Sequence, residues 1–208
     1  MSVVNIIDRV TDWAQKSICD KIKLKMPPED ELAATDVDYD HNLVTPAAFA
    51  MYVPTKDKLP PNVLSPIPSL CVRCREGEES LVSNKGTINM EMCFAAYNPG
   101  IYGADILKLA EGSHLESRQW RGPEADDYFK RYGGGFRDAW NFVDLALREI
   151  ERTTTIDGIE IDRSVPIKYG PLSEQEAIPD FYPYWFAWVS FALTYPLVRN
   201  DENLQKLL

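Results

Sequence analysis

Residues 184–195, Tyr-Trp-Phe-Ala-Trp-Val-Ser-Phe-Ala-Leu-Thr-Tyr, constrain the fold more than any other stretch of the chain. Successive side chains of a strand point to opposite sides. Trp185, Ala187, Val189, Phe191, Leu193 and Tyr195 therefore make one unbroken apolar face. The other face starts with Tyr184, Phe186 and Trp188 and ends with Ser190, Ala192 and Thr194. The first face demands a core. The aromatic end of the second demands a cover as well, supplied either by the chain itself or by a neighbouring subunit. Tyr184, Phe186 and Trp188 are thus the candidate packing or assembly residues. Pro196, which has no backbone N–H to give a ladder, ends the strand.

Other segments supply partners for such a strand. Residues 2–17 carry Val3, Ile6, Ile7, Val10, Trp13 and Ala14 at three- and four-residue spacing behind a capping Ser2, the pattern of an amphipathic helix. A second stripe, Phe136, Ala139, Trp140, Val143, Ala146, Leu147 and Ile150, predicts a helix over 136–152. Its Asp138 stands early, and Arg148 and Arg152 late, as the helix dipole favours. Alternation predicts strands over residues 21–26, from Ser69 to Arg75, and from Gly86 to Phe94. A further strand begins at Ile159 and is expected to run on through Val165-Pro166-Ile167. The expected class is α+β: a mixed or antiparallel sheet packed by two helices, in the order α-β-β-β-α-β-β, as one domain over 1–208. Two long insertions interrupt it. Residues 27–68 hold eight of the 15 prolines and read as an extended arm with a short helix near 46–51. Residues 97–135 are rich in glycine and aromatics, with helical stretches expected at 104–110 and 124–131. Residues 76–80 read as a loop, and Gly133-Gly134-Gly135 as a hinge.

The motifs for chemistry are incomplete. Cys71-Val72-Arg73-Cys74 has the spacing of half a zinc site, but a second pair at the right distance is missing, and on a strand the two thiols point apart. The four cysteines are read as reduced thiols. Residues 36–47 start like a calcium loop, yet the glycine position is His41 and the bidentate-glutamate position is Ala47. The glycine run lacks the lysine and hydroxyl residue of a phosphate loop. His41 and His114 are the only histidines, both in expected loops. No catalytic, cofactor or metal residue is assigned. A net charge of −10, from 32 acidic and 22 basic residues, opposes non-specific nucleic-acid binding and suits docking to basic protein surfaces. A stretch of the roughly 20 apolar residues needed to span a membrane is not found, nor is a signal peptide.

The close of the chain resembles the tail terminators, or tail-completion proteins, of tailed bacteriophages. The resemblance rests on the element order and on the ending: the helix 136–152, the strand pair around 159–167, then Asp180-Phe181-Tyr182-Pro183-Tyr184-Trp185-Phe186 leading into the aromatic strand. It covers roughly residues 1–26, 69–96 and 136–196. It implies a non-enzymatic structural protein of the virion, assembled in the host cytoplasm. Such a protein forms a ring, usually a hexamer, on the head-proximal end of the tail tube. The ring stops tube polymerisation and joins the neck, so the implied partners are further copies of the chain, the tail tube protein, a neck or head–tail connector protein and, in contractile tails, the sheath. Both insertions depart from the compact family pattern. Two other readings stay open: a head–tail connector subunit, and an enzyme or ligand-binding module using 97–135 as a lid.

Overall fold

Ser2 opens the first helix as its spacing requires: its Oγ accepts a hydrogen bond from the Asn5 N–H at 3.2 Å. The computed structural model of the chain describes residues 1–28, 42–59, 65–99, 134–172 and 181–197. Helix α1 spans Val3–Ser17 and buries Ile6, Ile7, Val10 and Ala14. Helix α2 spans Arg137–Arg152, one residue shorter than its stripe, and stops where Thr153 turns extended. The expected stripe on α2 is too narrow. Phe142 is fully buried, edge-on to Phe94 with ring centres 4.9 Å apart, whereas Phe136 is exposed. A helix lying in the hollow of a curved sheet is contacted over a wider arc than one on a flat surface.

The class is α+β, with two helices on a curled, mostly antiparallel sheet and a smaller sheet beside it. The small sheet pairs β1 (Leu24–Lys25) with β2 (Leu43–Val44). The large sheet runs β3 (Ala47–Ala50), β4 (Ser69–Ser80), β5 (Lys85–Tyr97), β9 (Tyr184–Pro196), β7 (Ile159–Ile161), β6 (Thr155–Ile156), with β8 (Lys168–Pro171) also on β9. Only β3 on β4 is parallel. The central strand is therefore the aromatic one, and its alternation matches that of β5 residue for residue: Ile88, Met90, Met92 and Phe94 stand opposite Leu193, Phe191, Val189 and Ala187. Together with Leu70 and Val72 they form one core with the apolar sides of both helices. The curl brings the β6–β7 turn round to α1, where the Arg9 guanidinium donates to the Asp157 carbonyl at 2.7 Å and pairs with its carboxylate at 3.2 Å.

Several local expectations change. The short helix expected near 46–51 is instead β3. Ala-Ala-Phe-Ala suits a helix, but Gln15 of α1 holds it extended, accepting from the Ala48 N–H at 2.7 Å and donating to the Pro46 carbonyl at 3.2 Å. Tertiary contact outweighs propensity here. Residues 76–80 are not a loop. A bulge between Cys74 and Glu76 resets the register, and β4 continues against β5 to Ser80. The strand from Ile159 ends at Ile161 and does not run through 165–167. Asp162 turns the chain by accepting from the N–H and Oγ of Ser164 at 2.9 and 2.6 Å, and the next strand, β8, starts at Lys168. Of the strand expected over 21–26 only Leu24–Lys25 forms, because a 3-10 turn occupies Cys19–Lys21. The expected helices at 104–110 and 124–131, both histidines, most of residues 97–135 and part of residues 27–68 lie outside the described residues.

Candidate assembly face

Both helices pack on one side of the large sheet, so the site is built on the other. On β9 this helix-free side carries Tyr184, Phe186, Trp188, Ser190, Ala192 and Thr194. Register places Tyr97, Ala95, Cys93 and Glu91 of β5 opposite the first four of these. Ser69, Cys71 and Arg73 of β4 lie beyond, opposite Ala95, Cys93 and Glu91, and Phe49 of β3 lies opposite Cys71. The three residues singled out in the sequence are therefore brought into one row. Each is half-buried and each has a specific neighbour. Tyr184 meets Tyr97 edge-on at 5.4 Å. Phe186 meets Phe181 edge-on at 5.4 Å. The Trp188 ring lies on Gly170 of β8, where an added Cβ would come within 3.3 Å, and its indole N–H donates to the Pro171 carbonyl at 3.0 Å. The indole thus keeps its N–H bonded while the residue stays partly exposed.

Beside the row the face turns charged. Glu91 is only 6% exposed, and its carboxylate binds the guanidinium of Arg73 and, at 3.2 Å, that of Arg75. Arg73 and Arg75 alternate on β4 and reach over the carboxylate from its open side, so a charge that burial would penalise is matched by two cations. This cluster was missed in the sequence. Its signal was there, in two arginines two apart on one strand and a lone glutamate in the apolar alternation of the next, but it becomes readable only once the strands are in register.

The cysteines are unsuited to nucleophilic chemistry. Burial, reinforced by the Glu91 charge, pushes the Cys93 thiol up to about 12, and burial with Asp20 beside it does the same for Cys19. Cys71 is buried on the helix-free side and Cys74 packs towards the core, as residues three apart on a strand should. Among the described residues, His, Cys, Asp and Glu do not gather in threes that would hold a metal ion. Nor does a helix among them have the length and apolarity to cross a membrane. A groove of about 650 Å³ lies on the solvent side of α2, where Ile22 and Leu145 meet Lys21, Asp144, Arg148 and Glu151. Its charges are mixed in sign.

At the far end of the sheet, the β4–β5 hairpin projects with Glu76, Glu78 and Glu79 exposed along one arm. Its turn presents Leu81 at 86% and Val82 at 100% exposure. Turns normally take Gly, Asn, Asp or Ser, and this one spends two apolar residues on water. No family model matches the chain, and no curated protein matches it.

Proposed function

We propose that this chain is a structural subunit that closes the head-proximal end of a bacteriophage tail tube as a ring, ends its polymerisation and offers a surface to the neck. The observation that carries this reading is the helix-free side of β9, where Tyr184, Phe186 and Trp188 stand in one half-buried row on a strand whose other side is filled by the core. Two features support it. Past Val72, the edge of β4 away from β5 has no strand among the described residues, and neither has the edge of β8 away from β9. Open edges on opposite sides of one sheet favour head-to-tail contact, which gives a ring where the rotation between subunits closes. The acidic balance, and the row of Glu76, Glu78 and Glu79 beside one of these edges, suit charge-guided pairing with basic protein surfaces.

The test is an elongation assay. Tail tube subunits polymerised in the presence of the protein should give tubes of arrested length with a cap at one end. Tubes that grow unaltered would refute the reading. Cross-links to a neck protein with none to tube protein would replace it with the connector reading.

A further inference from the structure

Asn98, one residue past β5, is buried, and each of its four polar groups has a described partner on another stretch of chain. Its N–H donates to the Pro183 carbonyl at 3.1 Å. Its carbonyl accepts from the Trp185 indole N–H at 2.8 Å. Its side-chain oxygen accepts from Lys25 Nζ at 3.0 Å, and its side-chain nitrogen donates to the Asp138 carboxylate at 2.7 Å. One residue thus ties the start of β9, strand β1 and the first turn of α2. The chain entering α2 passes directly over this knot. A Cβ at Gly135 would lie 2.5 Å from the Asn98 carbonyl oxygen and 2.9 Å from the Trp185 indole nitrogen, so Gly135 is there for close approach and not as a hinge.

The tie has a consequence for the opposite side of the sheet. Trp185 points to the helix side, where Phe136 meets it edge-on at 6.2 Å. Fixing its indole fixes the rotation of the first residues of β9. That rotation decides that Tyr184 and Phe186, its two neighbours, face away from the helices. We propose that Asn98 is the positioning residue of the assembly face, holding the aromatic row in register through the Trp185 indole and bracing itself on Lys25 and Asp138. The inference rests on the reading of that face as an assembly surface. Asn suits the position because it must accept from a cation and donate to a carboxylate at once, which neither an ionised Asp nor Leu can do.

The test is a polarity swap. Asn98→Asp sets two carboxylates against each other. Combining it with Asp138→Asn restores one donor and one acceptor with their direction reversed, and leaves Lys25 a partner. The Trp185 indole N–H resonance, identified by its loss in Trp185→Phe, reports the tie, and binding to tail tubes reports assembly. We expect Asn98→Asp to move the resonance to the position of a solvent-bonded indole and to lose tube binding, and the double variant to recover both. A resonance unmoved by Asn98→Asp, or still displaced in the double variant, overturns the proposal. So does a displaced resonance with tube binding intact. If the wild-type protein itself never binds tubes, the assembly reading fails, and the indole resonance still decides whether Asn98 sets the start of β9.

Discussion

The two sides of β9 are made of the same kinds of residue and live in different surroundings. On one side Ala187, Val189, Phe191 and Leu193 are buried to within 2% of completely, against two helices. On the other, Tyr184, Phe186 and Trp188 are only partly buried. The first side is what holds the chain folded. The second leaves part of each of the three aromatic residues exposed, and that exposure motivates the assembly reading. The contrast is therefore between residues whose loss should act on stability and residues whose loss should act on association.

Substitutions along the strand can break that contrast. Phe191→Ala should cost about 3–5 kcal/mol, since it empties a closed site in the core, and denaturant unfolding will show it. Trp188→Ala on the opposite side should cost the isolated chain less, about 2 kcal/mol, because the side chain is only partly buried and only one hydrogen bond is lost. Its larger effect should be on tail capping. A Trp188→Ala protein as unstable as Phe191→Ala, or one that caps tails normally, would erase the distinction between the two sides. Glu91→Gln removes the charge that Arg73 and Arg75 share. Both arginines are about half exposed, so solvent screens the loss, and about 1 kcal/mol is expected in chemical denaturation.

A pH series sharpens the comparison at the helix side. Burial, opposed by the Asn98 hydrogen bond and the Lys25 charge, lifts the Asp138 carboxyl above its ordinary value of 3.8. The native state then keeps a proton that the unfolded chain has released. The contribution of this group to stability is complete below about 3.8 and is lost as pH rises through the native value. Asp138→Asn should flatten that part of the stability curve. The smallest effect is expected at the hairpin turn. Leu81→Ser with Val82→Ser should change stability by no more than about 0.5 kcal/mol in a thermal melt, since both side chains are already in water.

The strand at the centre of the sheet was legible because its alternation is strict and its neighbour β5 repeats it. Both helices were legible from their stripes and from the Ser2 cap. Two misread segments are decided by another part of the chain, β3 by the Gln15 amide and the outer half of β4 by its ladder with β5, while the end of β7 is decided locally by the Asp162 turn. The row of Tyr184, Phe186 and Trp188 could be named from spacing alone. The Glu91 cluster and the Asn98 knot could not, because their bonded partners are 16 to 87 residues apart in sequence and meet only through strand register and chain crossing. Gly135 shows the same limit: a glycine run reads as freedom, whereas this glycine is required by contact.

The most direct test of the central claim is an image of the protein on a tail tube end at a resolution that shows side chains. The expected result is a closed ring in which the Trp188 face of each subunit lies in van der Waals contact with a neighbouring polypeptide. A tube end without a ring, or a ring in which Tyr184, Phe186 and Trp188 still face solvent, would contradict it.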